Sequence, residues 1–352
     1  MANLNIRTPR FYPCLANHRM ATGSAQNGNF DLMSGANLIS TFTQGSEPEL
    51  FDLRPMNQCS WATSADTDGH VLANMDTGGG FNVDFVAILN HNMHSADAKF
   101  KVDHAGNGAE ATIQSADMGG TDIASVVDVV NGGGITGNVV TPTADGSTII
   151  TFDSSSDRYW GIQFEGSSAL ANDAGTKLFN GVDLKIGCII FGEFYDMPHA
   201  PDLSVKRSIM YDGVSVQESI GGQRYGNATH RGRRYVGQGN QTPFVQASQG
   251  YYVYGGRMSY DMSFSYLGSD VLMPSDYKSE VSGSDTVVAD VWNRTSGNLL
   301  PFIFTTDGSS TEESDYLFAR FAQNNLDMTQ VAPDVFNTSM KIYFRKLNWG
   351  DY

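Results

Sequence analysis

Two histidines, His91 and His94, stand three residues apart directly after an apolar run, and Asp103 and His104 follow in the next segment. Imidazole and carboxylate groups are ligands of zinc and related metals when at least three of them converge. The run before His91 has the composition of a strand, and strand residues an odd number of positions apart point to opposite faces. We therefore predict no metal site and no cofactor here.

A structural role is the other interpretation of this stretch. Residues 85–89 (FVAIL) predict a buried strand that ends at Asn90-His91-Asn92. Asparagine side chains imitate a backbone turn and tolerate left-handed dihedral angles. We therefore interpret Asn90, His91 and Asn92 as a structural turn, whose side chains hydrogen-bond the backbone.

Motifs for catalysis are missing from the sequence. It contains no GxSxG, no HExxH, no GxxxxGK[ST] and no GxGxxG that opens a helix. Two carboxylates could meet in a cleft, as in glycosidases, but nothing in the spacing selects a pair. We predict no catalytic residues and expect that the protein is not an enzyme.

Aromatic rings suggest a different chemistry, which is stacking against the apolar face of a sugar. Trp61 and Tyr159 are the candidate sugar-binding residues, with Asn and Asp side chains as hydrogen-bond partners. Trp160 lies inside a predicted strand, where core packing is the simpler role.

Many short strands have to position these residues. Apolar and β-branched runs alternate with Gly, Asn and Asp turn signals from residue 50 to 195, and residues 203–352 are again β-rich. The predicted fold class is mainly β: an antiparallel, jelly-roll-like β-sandwich and a second β-rich domain with one short helix. The predicted divisions are 1–48 (an N-terminal arm with an entry strand), 49–197 (the sandwich) and 198–352 (the second domain), because Pro198 and Pro201 mark a linker.

Three patterns define the second domain. Residues 257–266 alternate strictly between polar and large apolar side chains and predict a half-buried strand. Ser284-Asp285 predicts the cap of a helix that ends at Gly297 and has Val287, Val288, Val291 and Trp292 on one stripe. Residues 315–322 (DYLFARFA) fit a strand or a helix, and we favour the strand.

The net charge of −16 over 352 residues argues against nucleic acid and anionic membranes as partners. Residues 205–235 differ, because this segment has six basic residues and only two acidic ones, Asp212 and Glu218, which gives it a local net charge of +4. This segment is either a solvated surface or a contact for an acidic neighbour, which in so acidic a chain could be another copy. The candidate contact residues include nearby tyrosines, which interfaces enrich: Arg207, Arg224, Arg231, Arg233, Arg234, Tyr235, Tyr252 and Tyr254.

The three cysteines, Cys14, Cys59 and Cys188, are far apart and predict neither a disulfide framework nor a zinc site. The first residues lack the apolar run of a signal peptide, and no stretch is long and apolar enough to span a membrane. We expect a soluble protein made in a reducing cytoplasm.

Several motifs resemble structural proteins of tailed-bacteriophage tails. The segment VDFVAILNHNM (83–93) is similar to a strand end in their jelly-roll modules. The second half resembles the ring-forming domain of distal tail and minor tail proteins, with RRY at 233–235, RMSYDMSFSYL at 257–267, the helix with Trp292, LPFIF at 300–304, DYLFARF at 315–321 and MKIYFRKLNW at 340–349.

This resemblance implies a structural virion protein at the tail tip or baseplate, made in the host cytoplasm. Such a protein forms a ring or adaptor that joins the tail tube to the hub and fibre proteins. The implied partners are those proteins and other copies of itself, three or six in a ring. The alternative function is a carbohydrate-binding, receptor-recognition module on the virion.

Overall fold

The structure is a computed structural model, and it describes residues 7–16, 31–32, 42–55, 57–61, 70–78, 81–113, 118–166, 182–210, 214–228, 233–236, 251–254, 257–275 and 285–346. Within these ranges the chain is mainly β with antiparallel sheets, which confirms the predicted fold class. No helix in the described ranges is long and apolar enough to cross a membrane.

The first strands in chain order are β1 (Arg10–Pro13), β2 (Asp31–Leu32), β3 (Phe42–Gln44), β4 (Cys59–Trp61), β5 (His70–Asp76), β6 (Val83–His91), β7 (Ala98–Ala105), β8 (Thr121–Asp122), β9 (Val127–Val130), β10 (Gly134–Thr136), β11 (Val139–Thr141), β12 (Gly146–Ser155), β13 (Tyr159–Gly166), β14 (Leu184–Ile186), β15 (Cys188–Gly192) and β16 (Tyr195–Asp196).

The remaining strands are β17 (Lys206–Met210), β18 (Val214–Glu218), β19 (Arg224–Ala228), β20 (Arg233–Val236), β21 (Tyr251–Tyr254), β22 (Arg257–Gly268), β23 (Phe302–Thr305), β24 (Tyr316–Phe321), β25 (Met328–Ala332) and β26 (Val335–Lys346). The described helices are short: Glu47–Phe51, Glu110–Ile113, Ser269–Leu272, Val287–Asn293 and Glu313–Asp315.

Two sheets form the sandwich. One has the order β10-β11-β7-β13-β5-β2, with β8 beside β7, and the other has the order β15-β6-β12-β9. Alternate residues of β13 point into the core between them, where Trp160 packs 5.9 Å from Phe152 of β12. Strand β6 is buried from Val83 to Leu89, which explains its continuous apolar sequence.

The second sheet system has the order β16-β1-β23-β24-β26-β22-β17, with β25 beside β26. Strand β1 comes from the N-terminal segment and lies between β16 and β23. Its side chains alternate between two cores: Tyr12 packs 5.0 Å from Phe85 of the sandwich, and Phe11 packs 5.0 Å from Phe304 in the second core. The N-terminal residues 10–13 therefore belong to the C-terminal sheet, while the predicted division at 49 and 198 stays a prediction.

The alternating strand and the helix predicted for the second domain are both present, but each differs from its prediction. In β22, Tyr260, Met262 and Phe264 are buried as predicted, but Tyr266 is 79% exposed. A β-bulge between Phe264 and Leu267 shifts the register, and Tyr266 adopts a φ of 63° there.

The helix spans Val287–Asn293 and has π-helical geometry rather than an α-helical turn. Its cap is the side chain of Thr286, which accepts a hydrogen bond from the Ala289 N–H, and not Asp285. Ser284 lies outside the described residues. Gly297, with a φ of 64°, ends the segment by donating to the Trp292 carbonyl. Residues 316–321 form a strand, as favoured.

Candidate functional site

The Asn90-His91-Asn92 stretch ends β6 in a turn held by side-chain hydrogen bonds. Asn90 has a φ of 54°, and its amide donates to the Pro55 carbonyl at 2.7 Å. Gln58 donates to the Asn90 side-chain oxygen at 2.6 Å. Asn92 bridges to another loop, because it donates to the Asp183 carbonyl and accepts from the Lys185 N–H.

His91 is buried inside this turn. The Met93 N–H donates to Nδ1 at 3.2 Å, so the proton of the neutral ring resides on Nε2, which lies 2.8 Å from Thr148 Oγ1. Burial lowers the pKa of His91 to about 3, which keeps the ring neutral at physiological pH. All three side chains thus have structural contacts.

The histidines and Asp103 considered as metal ligands have separate partners. His104 contacts Asp157, and Asp103 accepts from Asn138 at 2.7 Å, while His94 is exposed. In the part of the chain that the structure describes, no three His, Cys, Asp or Glu side chains group as metal ligands.

The aromatic residues considered for sugar stacking are buried. Trp61 is 1% exposed and packs 4.8 Å from Phe42, because its strand β4 lies between β14 and β3. Tyr159 is 5% exposed and packs with Ala105 and Ile113. Neither ring presents a face to solvent, whereas stacking on a sugar requires an exposed face.

The most developed polar site lies at one end of the sandwich, and we call it the sandwich-end cluster. Asp76 ends β5, while β7 ends at Ala105 and β13 begins at Tyr159, and the sheet register pairs Tyr159 with both. This antiparallel arrangement brings the turn after β7 and the residues before β13 to the same end of the sheet. The cluster consists of Asp76, His104, Asn107, Asp157 and Arg158.

Ion pairs organise this cluster. The Arg158 guanidinium makes two parallel bonds to Asp76, from Nε at 2.8 Å and from Nη2 at 2.7 Å, and these hydrogen bonds raise the pKa of Arg158. Arg158 Nη1 lies 3.3 Å from the side-chain oxygen of Asn107. His104 Nδ1 lies 2.6 Å from Asp157 Oδ2, and its ring packs 5.1 Å from Trp160. The side chains of Arg158 and Asp157 are each 35% exposed.

Ser155, His104 and Asp157 have the residue types of a hydrolase triad but not its geometry. Ser155 Oγ lies 3.3 Å from His104 Nδ1, the same nitrogen that contacts Asp157. A triad needs the nucleophile on one ring nitrogen and the carboxylate on the other, so this trio cannot relay a proton from serine to imidazole. Sequence reasoning missed the cluster, because only the register of three strands brings its members together.

The predicted contact residues lie on four strands. Arg207 is on β17 and Arg224 is on β19, where the Arg224 side chain is 75% exposed. In the β20–β21 pair, Arg233 is opposite Tyr254, Arg234 is opposite Val253 and Tyr235 is opposite Tyr252. Arg231 lies outside the described residues. Whether these residues contact a partner stays a prediction.

Comparisons with known proteins found no matching family model and no matching curated protein. Three similar solved structures contain carbohydrate-binding modules. Chitosan-binding module 1 of a chitosanase/glucanase from Paenibacillus sp. IK-5 is 13% identical, covers 51% of this chain and 98% of its own, and has a TM-score of 0.27. The module CBM32-1 of a family 31 glycoside hydrolase from Clostridium perfringens is 13% identical, with coverages of 48% and 99% and a TM-score of 0.29.

Truncated AlyQ, with CBM32 and alginate lyase domains, is 10% identical, covers 92% of this chain and 75% of its own, and has a TM-score of 0.29. At these identities and TM-scores the similarities assign neither a fold nor a function to this chain.

Proposed function

We propose that the protein binds carbohydrate through the sandwich-end cluster. The observation that supports this is the convergence of a guanidinium, an imidazole, an amide and two carboxylates at one half-exposed edge of the sandwich. Each sugar hydroxyl both donates and accepts a hydrogen bond, so a mixed set of planar polar groups suits it.

The pairing within the cluster favours binding in two ways. Asp76 fixes the plane of Arg158, and Trp160 and Asp157 fix the plane of His104, so little side-chain entropy is lost when a ligand arrives. The longer contact from Arg158 to Asn107, at 3.3 Å, is the one that a hydroxyl can replace. Tyr159 beside the cluster is buried, so recognition rests on hydrogen bonds, and we expect a Kd on the order of 1 mM.

Glycan-array binding of the intact protein tests this proposal, followed by calorimetric titration of the best glycan. We expect Asn107→Ala and Arg158→Gln each to weaken binding about tenfold, which corresponds to about 1.4 kcal/mol. Arg320→Gln is the matched control, because Arg320 is an exposed arginine on β24 of the other sheet system. Thermal melting of each variant separates lost binding from lost folding. Unchanged affinity in folded Asn107→Ala and Arg158→Gln would refute the site.

The second candidate function is a structural component of a phage tail tip, which assembles with copies of itself and joins the tail tube to the hub and fibres. The observation that favours it is the β18–β19 hairpin, which pairs with no other strand in the described ranges and is exposed from Val216 to Tyr225. A hairpin of two strands has marginal stability in water by itself, so a partner surface is expected.

Light scattering of the purified protein at low and high salt tests the second candidate. A salt-sensitive oligomer of three or six copies supports a ring held partly by the basic segment, because salt screens surface charge. A monomer of 38.2 kDa at every concentration and salt would argue against self-assembly.

A further inference from the structure

We infer that β25 of one copy of the chain pairs with the β18–β19 hairpin of a second copy, edge to edge. This inference rests on the second candidate function and specifies its contact. The two surfaces are named here the arm hairpin (Val214–Ala228) and the open edge (Met328–Ala332).

The arm hairpin is regular but isolated. Its register runs from Val214 opposite Ala228 to Glu218 opposite Arg224, and the Ser219–Gln223 turn closes it. Apolar side chains on it face solvent: Val216 is 60% exposed, Tyr225 is 58% exposed and Ile220 is fully exposed. Within the described residues nothing else covers these side chains, so they are available to an intermolecular contact.

The open edge is the complementary feature. Strand β25 pairs with β26 on one side and with no other described strand, and all five of its residues are exposed. Natural edge strands usually carry a charged residue that discourages pairing, whereas β25 (MTQVA) has none. Met328 is 38% exposed and Val331 is 47% exposed, so the edge also offers apolar surface.

The register of the sheet separates the open edge from the point where the chain leaves β17. Strand β17 leaves the sheet at Met210, which pairs with Arg257 at the start of β22. Strand β25 pairs with residues 335–338 of β26, which lie beside the far end of β22 at residues 264–268. At about 3.3 Å per residue these points are roughly 25 Å or more apart along β22. The arm hairpin therefore leaves the sheet at the end opposite to the open edge of its own chain.

Two different surfaces of one chain make a head-to-tail contact, which closes into a ring when the rotation between copies permits. Charge favours the same pairing. The arm hairpin itself carries one Glu and one Arg, but the segments on either side of it are basic, so that residues 205–235 have a net charge of +4 in a chain whose total is −16. Exposed Asp327 and Asp334 flank the open edge. Arg224 already lies 3.3 Å from Glu218 of the same hairpin, so the attraction to these carboxylates comes from the basic segments beside the hairpin, and it gives the contact a salt dependence.

Complementation between two variants of the full chain tests the inference. Val216→Lys places a charge on the arm hairpin, Val331→Lys places one on the open edge, and Val127→Lys is the matched control, because Val127 is 55% exposed on β9 of the sandwich. We expect light scattering to give monomers for Val216→Lys and for Val331→Lys, and a wild-type oligomer for the control. An equimolar mixture of the two monomeric variants should form a dimer, because each pair keeps one intact arm hairpin and one intact open edge.

The outcomes separate this inference from the function on which it rests. If the wild type assembles and both Val→Lys variants assemble equally well, the edge pairing is refuted while self-assembly stands. If both variants are monomeric but their mixture stays monomeric, a head-to-tail contact between these two surfaces is also refuted. A monomeric wild type at all concentrations overturns both the inference and the second candidate function.

Discussion

The carboxylate of Asp84 lies 2.9 Å from the backbone nitrogen of Phe194, in the core where β6 runs beside the end of β15. Burial raises the pKa of Asp84 to about 8, and the nearby Glu193 adds to the increase. The folded protein therefore holds a proton on Asp84 that the unfolded chain, with a carboxyl pKa near 3.8, has already released at neutral pH.

From this follows a prediction for the pH dependence of stability. The contribution of Asp84 is fully present below about pH 4 and is lost as the pH rises toward 8, at about 1.4 kcal/mol per pH unit. We expect Asp84→Asn to be more stable than wild type at pH 8 and similar at pH 4, because asparagine still accepts from the Phe194 N–H. Urea unfolding at both pH values measures this. Asp334→Asn, on an exposed turn, should show no such difference.

His91 gives a prediction of the opposite sign. The pKa of His91 is lowered to about 3 in the folded protein. Between about pH 6.5 and pH 3 the imidazole is therefore protonated in the unfolded chain but neutral in the folded protein. Wild-type stability should fall as the pH decreases from 6.5 toward 3. We expect His91→Gln to cost about 1–2 kcal/mol at pH 7.5, through the lost contact with Thr148, and less at pH 4.5. The exposed His94 supplies the control His94→Gln, and equal losses at both pH values would contradict the assignment.

Asn90 combines a left-handed backbone with two side-chain partners, and two substitutions separate these contributions. Asn90→Gly keeps the backbone freedom but loses the hydrogen bonds with Pro55 and Gln58. Asn90→Ala loses the hydrogen bonds and also disfavours the left-handed backbone. We therefore expect it to melt at a lower temperature than Asn90→Gly and to reduce the free energy of unfolding by about 2–4 kcal/mol. Differential scanning calorimetry measures the order. If Asn90→Ala melted like wild type but failed to bind glycans, the structural interpretation of this turn would be wrong.

Gly187 offers the sharpest steric prediction near the same turn. A Cβ at this position would overlap the Pro55 carbonyl and lie 2.7 Å from Asn90 Cβ. Because both neighbours belong to the turn that Asn90 holds, neither can move away cheaply. We expect Gly187→Ala to destabilise the protein by about 3 kcal/mol or more, as overpacked cores do. Gly106→Ala, whose Cβ would have only an ordinary contact at 3.6 Å, should change the melting temperature little.

Local patterns predicted the parts of the fold that depend on neighbours in sequence. The apolar run before Asn90 and the alternation up to Phe264 each report burial directly. The bulge at Tyr266 was not predictable in this way, because Asn337 of another strand accepts from the Tyr266 N–H and stabilises it. Trp61 looked available for a ligand, but it is buried because β4 lies between two other strands.

The candidate site shows the same limit of local reasoning. Asp76 and Arg158 form a bidentate ion pair, yet Asp76 ends β5 and Arg158 immediately precedes β13, and no spacing in the sequence links them. Asp157-Arg158 precedes a strand and Asp76 ends one, which is a weak signal for a shared edge. The register of β5, β7 and β13 was needed to join them.

Strand β1 has a consequence for how the chain folds. It pairs with Phe302–Thr305, and its Tyr12 and Phe11 help to fill the sandwich core and the second core. Closing a loop between residues so distant in sequence costs conformational entropy before the contact is formed, and such high contact order slows folding. During synthesis the sandwich can collapse while β1 still lacks its neighbour β23. The final structure therefore forms only after the ribosome has made residues 302–305, and until then the edges of β1 are open to pairing with the wrong strand.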